Sequence, residues 1–208
     1  MKIKRLEVGE LKTDCYLVTG EDSPETLIVD PGAEPERIIR EIESQNLAPK
    51  AIFLTHSHYD HIGAAPEIAG KFDIPIYIHS AGAARLEDPS ANFSAMFENP
   101  VSAEASRELE EGDRIDIAGE SLEVMHLPGH SPGGAALVGD GIILSGDLVF
   151  QMGVGRTDLP GGNHGELLHS LKRILSLPAE TGIYPGHGPP TTAGEVAALL
   201  SGIIEKGE

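Results

Sequence analysis

The chain has 208 residues, 40% of them hydrophobic, with 25 glycines, 15 prolines and a formal net charge of −18. That length suits one domain with a substantial core, expected over residues 1–208. With 15 Lys and Arg against 33 Asp and Glu, 4% aromatics and no Trp, neither an extended phosphate-binding face nor an aromatic stacking platform is available, which excludes a nucleic-acid partner.

No apolar run approaches membrane-spanning length, and the basic start Met1-Lys2-Ile3-Lys4-Arg5 leads into an alternating strand with no signal-type apolar core. A cytoplasmic protein with no membrane partner is expected. Cys15 is the only cysteine, so no internal disulfide can form, and its strand-like surroundings make it a small buried filler. The sequence carries no signal for assembly.

The first half alternates strand and helix. Lys2 to Val8, Cys15 to Thr19 and Thr26 to Asp30 read as strands, followed by the turn Pro31-Gly32. A helix starts near Pro35 and places Ile38, Ile39 and Ile42 on one face. The strand Ala51-Ile52-Phe53-Leu54 follows, then a short helix from Ile62 to about Gly70 and a strand from Ile74 to His79. In the segment Gly82 to Arg107, Phe93, Met96 and Phe97 are read first as core residues, with the lining of a pocket as the alternative.

The second half opens with strands at Asp113 to Ala118 and Ser121 to Leu127, joined by a turn at Gly119. Ala135 to Val138 and Ile142 to Ser145 flank Gly139-Asp140-Gly141, a strong hairpin signal. Two amphipathic helices close the chain. Asn163 with Glu166 resembles a capping box before Leu167, Leu168, Leu171, Ile174 and Leu175, and Thr192 with Glu195 does the same before Val196, Leu199, Leu200, Ile203 and Ile204. Two mixed halves of this kind imply sheets packed together with helices outside.

The chemistry is concentrated in Thr55-His56-Ser57-His58-Tyr59-Asp60-His61, which places four ligand-capable side chains within six residues directly after a buried strand. The chain has only nine histidines, so such clustering by chance is improbable. Neutral imidazole and carboxylate suit zinc or non-haem iron, and the carboxyl end of a strand is where such sites form in α/β sheets. Three later turns, Leu127-Pro128-Gly129-His130, Leu144-Ser145-Gly146-Asp147 and Tyr184-Pro185-Gly186-His187, each expose one further ligand-capable residue. Glycine lets backbone approach a site and proline stiffens the turn that aims the ligand. Together these segments supply five histidines and two aspartates, enough for two adjacent ions.

With these motifs in this order, the sequence resembles the metallo-β-lactamase superfamily, whose signature is T-H-x-H-x-D-H followed by single His, Asp and His motifs. The resemblance spans nearly the whole chain. It implies an α/β fold, a four-layer αβ/βα sandwich of two mixed sheets with outer helices and the site at one edge between the sheets. By that resemblance His56, His58 and His130 hold one metal, Asp60, His61 and His187 hold the second, and Asp147 bridges them. The implied ions are two divalent metals, zinc first, with iron or manganese as alternatives. Asp30, in Val29-Asp30-Pro31-Gly32, matches an acid that steadies the ligand loops from behind. His126 is read as a supporting or structural residue, and His79, His164 and His169 as surface or core histidines.

Within the superfamily, Ser145-Gly146-Asp147-Leu148-Val149-Phe150 followed by Gly153-Val154-Gly155-Arg156-Thr157-Asp158 looks like the short bacterial glyoxalase II branch. About twenty residues follow His187, so the helical region that helps grip glutathione in longer members is not expected. Arg156 matches a substrate-contacting position, or else pairs internally with Asp158. The implied activity is a metal-dependent hydrolase that cleaves S-2-hydroxyacylglutathione or a related small thioester through a metal-bound hydroxide, with no Ser or Cys nucleophile. Asp60 and Asp147 are the carboxylates assigned to catalysis, as ligands first, with Asp60 also placed to move protons. The rival activity is a persulfide dioxygenase-like oxygenase with one iron on His56, His130 and Asp147; lactone hydrolysis is a further variant. A β-lactamase role is less favoured, and a non-catalytic metal-binding scaffold least, because every ligand position is filled.

Overall fold

Ala51, Ile52, Phe53 and Leu54 are consecutive and apolar, so a strand made from them needs cover on both faces. The computed structural model, which describes residues 1–207, provides it. Ile52 and Leu54 pack among Ile28, Ile38, Ile42 and Ile68 under the outer helices, while Ala51 and Phe53 pack with Tyr16, Val18, Ile115, Leu137 and Leu144 between two sheets. A third apolar cluster, with Ile143, Leu167, Leu171, Ile174, Ile183, Val196 and Leu200, covers the far face of the second sheet. Three cores separate four layers, helix–sheet–sheet–helix.

The first sheet runs in chain order from β1 (Lys2–Val8) through β2 (Thr13–Thr19), β3 (Glu25–Val29), β4 (Ala48–Leu54) and β5 (Ile76–His79) to β6 (Arg107–Leu109). Its first three strands are antiparallel and β3 to β6 are parallel. Helices α1 (Pro35–Ser44), α2 (Tyr59–Ile62), α3 (Ala65–Phe72) and α4 (Ser80–Glu87) belong to this half. The second half adds β7 (Arg114–Ile117), β8 (Glu120–His126), β9 (Ala135–Gly139) and β10 (Ile142–Gly146). It continues with a small hairpin of β11 (Val149–Phe150) and β12 (Gly153–Val154), then α5 (His164–Leu175), β13 (Gly182–Pro185), β14 (Thr191–Thr192) and α6 (Ala193–Gly207). The second sheet is ordered β14-β13-β10-β9-β8-β7, with only the β10–β13 pair parallel.

The expected turns and caps form. The Gly139-Asp140-Gly141 hairpin joins β9 to β10, with Ile142 opposite Gly139. Thr192 and Glu195 make a full capping box: Thr192 Oγ1 accepts from the Glu195 N–H, and Glu195 Oε2 accepts from the Thr192 N–H. At α5 only half the box is present. Asn163 Oδ1 caps the Glu166 N–H, but the Asn163 N–H donates to Gly129 O at 2.8 Å instead.

Two expectations are corrected. The single helix from Ile62 to Gly70 is in fact α2 and α3, broken at Gly63 and Ala64. The Ala64 N–H donates to Pro31 O, and a Cβ at Gly63 would lie 2.3 Å from Gly32 O, so the chain is drawn against the β3 turn before helix resumes with a proline in its first turn. Phe93, Met96 and Phe97 are not core: Phe93 is half-buried and the other two are exposed. They lie on the loop after α4, where no layer covers them.

One glycine fixes how α5 meets the His130 loop. Gly129 has φ 134°, and a Cβ there would sit 2.4 Å from the Leu167 backbone. Gly129→Ala is expected to lower unfolding free energy by roughly 2–4 kcal/mol with an unchanged denaturant slope. A chemical-denaturation midpoint equal to that of the parent chain would refute this close approach.

Candidate metal centre

The strand ends bring the candidate ligands together. Buried β4 delivers Thr55 and His56 at its carboxyl end, and α2 carries Asp60 and His61. His130 lies between β8 and β9, Asp147 follows β10, and His187 follows β13. All seven side chains named from the sequence converge in three overlapping groups: His56, His58 and His130; His56, His61 and Asp147; and Asp60, His61 and His187. Their donor atoms lie within 4.8 Å of one another in each group.

Asp147 spans the groups. Its Oδ1 is 3.4 Å from His61 Nε2, and its Oδ2 is 3.6 Å from His130 Nε2 and 3.5 Å from His187 Nε2. Asp60 Oδ2 is 3.3 Å from His187 Nε2 and 3.5 Å from His61 Nε2. Donors at bonds of about 2.1 Å around a tetrahedral ion stand roughly 3.4 Å apart, so these spacings suit a shared cation. Hydrogen-bond demand agrees. His56 Nε2, His61 Nε2 and Asp147 Oδ1 are buried without a hydrogen-bond partner, a costly arrangement that bound cations would relieve, while His58 turns its Nδ1 to the cluster, 2.9 Å from His130 Nε2. Glycine makes the closeness feasible: a Cβ on Gly186 would stand 2.2 Å from Asp147 Oδ1 and 2.6 Å from His61 Cε1.

The donors are aimed from behind. Buried Asp30 accepts the Thr55 N–H at 2.8 Å, the Thr55 hydroxyl at 2.7 Å and His61 Nδ1–H at 2.9 Å. Thr55 Oγ1, having given its proton to Asp30, accepts from His56 Nδ1–H at 3.1 Å, which turns His56 Nε2 into the cluster. His130 Nδ1–H donates to Arg156 O at 2.8 Å. The other arm is sewn to β2: Thr13 Oγ1 donates to Asp60 Oδ2 at 2.9 Å, the Asp14 N–H donates to Gly186 O, and Tyr16 OH donates to Pro185 O.

Electrostatics divide the cluster. Burial, with the nearby His61 and His58, holds His56 well below its ordinary pKa. Burial and His130 bring His58 down to about 3. These imidazoles are neutral and ready to ligate. On the other side burial opposes charge but loses to the carboxylates. Asp60, Asp147 and Asp30 hold His61 well above its ordinary value, and hydrogen bonds to Asp147 and Asp60 raise His187 to about 10. Asp60, against burial, is drawn down to about 2 by His61 and His187.

Arg156 contributes its carbonyl to His130, while its guanidinium donates Nε and Nη2 to Asp158, both at 2.7 Å, in an exposed pair. His126 Nε2–H donates to Pro132 O, and its ring stacks on His79 at 3.8 Å, bracing the His130 loop. His164 and His169 are exposed on α5.

Sequence reading missed Thr13, a lone threonine at a strand start, and Asn92. Asn92 is buried; its Nδ2 donates to Leu86 O and Val101 O, its Oδ1 accepts the Ser94 N–H, and its carbonyl accepts the Tyr59 N–H at 2.9 Å. This pins the loop after α4 to the ligand helix. It also holds Phe93 at φ 69°, a left-handed conformation costing on the order of 1–3 kcal/mol, with its ring 5.0 Å from that of His58.

Comparison with known proteins places this geometry among relatives. The metallo-beta-lactamase superfamily model matches residues 8–187. A probable metallo-hydrolase of Bacillus subtilis is 43% identical over 196 residues, covering 92% of each chain. A hydroxyacylglutathione hydrolase of Haemophilus influenzae is 33% identical over 201 residues, 94% of each chain. Among solved structures, the BLEG-1 B3 metallo-beta-lactamase matches with a TM-score of 0.89 at 37% identity, over 95% of this chain and 97% of its own. A protein solved in a di-iron-bound form matches at 0.81 and 39% identity, over 93% and 96%. No helix of the described residues is long and apolar enough to cross a membrane.

Two outcomes are expected. Asp30→Asn, which cannot accept from all three donors, should weaken divalent-ion binding about 10–100-fold by competitive chelator titration; unchanged affinity would remove Asp30 from the support of the site. Since His187 is held up at about 10, it is an imidazolium near neutral pH in the metal-free protein, and an ion must displace its proton. Metal binding should therefore release protons and weaken as pH falls. Calorimetry in two buffers of different ionisation enthalpy reads this directly: His187→Ala should release about one proton fewer, and heats independent of buffer in the parent chain would contradict it.

Proposed function

The chain belongs to the metallo-beta-lactamase superfamily and is a metallo-hydrolase, and from that premise we propose that it is a thioester hydrolase of the glyoxalase II type. The observation that carries the hydrolase reading is the seven-residue cluster in which Asp147 lies 3.4–3.6 Å from His130 of one group and from His61 and His187 of another. The thioester reading is supported by 33% identity over nearly full length to a hydroxyacylglutathione hydrolase. A metal ion lying among His56, His58 and His130, and another among Asp60, His61 and His187, with Asp147 between them, is the occupancy we propose. Zinc is our first assignment.

Bound divalent ions lower the pKa of water toward neutrality and polarise a carbonyl oxygen. The protein's part is orientation and charge. Asp30, Thr55 and the Arg156 carbonyl keep three imidazoles turned inward, so no side chain must reorganise during reaction. Thr13 Oγ1 donates to Asp60 Oδ2 and fixes that carboxylate, which, ionised in the resting protein, would take the proton released by the attacking water and return it to the departing thiolate. Cys15, on β2, is buried in the core between the first sheet and its outer helices and its thiol is pushed up by burial, so it is no nucleophile.

A one-iron oxygenase is the second reading; the two-histidine, one-carboxylate group that the structure brings together is His56, His61 and Asp147 rather than the expected His56, His130 and Asp147, and a relative solved in a di-iron-bound form supports iron as a metal for this fold.

Metal analysis of protein purified without added metal, paired with hydrolysis of S-lactoylglutathione, a simple acyl thioester and a β-lactam, separates these activities. About two zinc ions per chain are expected with thioester turnover, which Asp147→Ala should lower more than about 100-fold. Iron with oxygen uptake on a persulfide and no thioester turnover would overturn the proposal, as would turnover confined to the β-lactam.

A further inference from the structure

The large apolar side chains exposed on this protein are Leu11, Met96, Phe97 and Met152, at 53%, 74%, 45% and 87% exposure among the described residues. Single exposed apolar residues are ordinary on a surface, but these are not scattered. Leu11 lines a small cavity together with Tyr59 and Asp60. Phe97 stacks on Tyr59, the residue between ligand candidates His58 and Asp60, at 4.0 Å between ring centres. Met96 adjoins Phe97 on the same loop, and Phe93 reaches the His58 ring. Met152 is at the tip of the β11–β12 hairpin, whose Phe150 ring is 6.1 Å from that of His187. Three separate loops thus carry apolar side chains to the edge of one cluster.

Two further observations bear on what this rim offers a ligand. Phe93 is held in a left-handed conformation by the buried Asn92 network, and strain of that kind accumulates at binding sites. The guanidinium groups beside the rim are already engaged. Arg156 is forked onto Asp158, and Arg85, 6.0 Å above the Phe93 ring, donates to Ala91 O and Pro160 O.

We propose that this rim binds a large apolar group of the substrate, a chain or ring attached to the scissile thioester, and that Phe97, Met96, Met152 and Leu11 set this preference. The inference rests on the thioesterase reading. The apolar group belongs either to the acyl side or to the thiol side, and the experiment separates them. One series varies the acyl group on N-acetylcysteamine from acetyl through butanoyl and hexanoyl to phenylacetyl. The other varies the thiol of acetyl thioesters from ethanethiol to hexanethiol. S-lactoylglutathione serves as the polar comparison.

Full burial of a methylene is worth about fourfold, and an open rim should recover roughly half that free energy, so kcat/KM is expected to rise about twofold per methylene along one series. Phe97→Ser and Met152→Ser, at exposed positions, should flatten that slope mainly through KM. Flat profiles in both series, preference for the lactoyl substrate over hexanoyl, or variants that lower all substrates equally without changing the slope would overturn the proposal. If no thioester is turned over at all, the thioesterase reading fails by itself. The rim is then judged by calorimetric titration of the zinc-loaded protein with carboxylates from butanoate to octanoate: affinity that grows with chain length supports it, and equal affinity overturns it.

Discussion

The carboxylate of Asp30 is buried at the end of β3 and answers three donors from two other segments: the amide and hydroxyl of Thr55 at the end of β4, and the ring of His61 on α2. A buried charge is tolerated only where hydrogen bonds replace its lost hydration, so the ends of two parallel strands and the first turn of a helix are constrained together. Through Thr55 the constraint passes to His56. The Asp30 backbone itself is at φ 51° and its N–H donates to Phe53 O, which turns the chain sharply enough for Gly32 to meet the Asp60 carbonyl region without a side chain between them. Much of the site's shape follows from one residue that faces away from solvent.

The two sheets enter the site by different routes. The first sheet contributes a contiguous segment, His56 to His61, whose spacing is set by local chain geometry. The second contributes isolated residues from three loops, and each is tied back to the first sheet or to a neighbouring loop. The Ala135 N–H donates to Thr55 O, the Gly186 N–H donates to Gly146 O, and β2 holds the Pro185–Gly186 turn. Packing between the sheets through Phe53, Tyr16, Leu137 and Leu144 keeps these loops in register. The site is therefore stable to the extent that the inter-sheet core is, and apolar burial there supports the polar cluster at its edge.

Charge in the cluster is arranged unevenly. Three histidines near β4 and the His130 loop sit together with one ring contact of 2.9 Å between His58 and His130, and burial keeps His56 and His58 neutral. The Asp60, His61 and His187 side balances carboxylates with imidazolium. Cations arriving at these two places meet different conditions, one ready with neutral donors and one requiring loss of protons.

Sequence by itself determined the family and most of the elements. Hydrophobic runs, hairpin glycines and capping residues are local signals, and the residues they name form strands and helices close to where they were expected. The candidate ligands were legible as a converging set because metal chemistry restricts the residue types and because turns rich in Gly and Pro mark the later ones. What the sequence could not decide are matters of long-range contact. Gly63 breaks the expected Ile62–Gly70 helix only because Gly32, thirty-one positions earlier, packs against it. Phe93, Met96 and Phe97 look like core residues by composition, yet the fold gives them no covering layer and leaves them beside the cluster. Thr13 and Asn92 carry no local signature; their hydrogen bonds to Asp60 and Tyr59 exist only once β2 and the loop after α4 are folded against α2. Residue type sets what a side chain can bind, whereas the packing of distant segments decides what it meets.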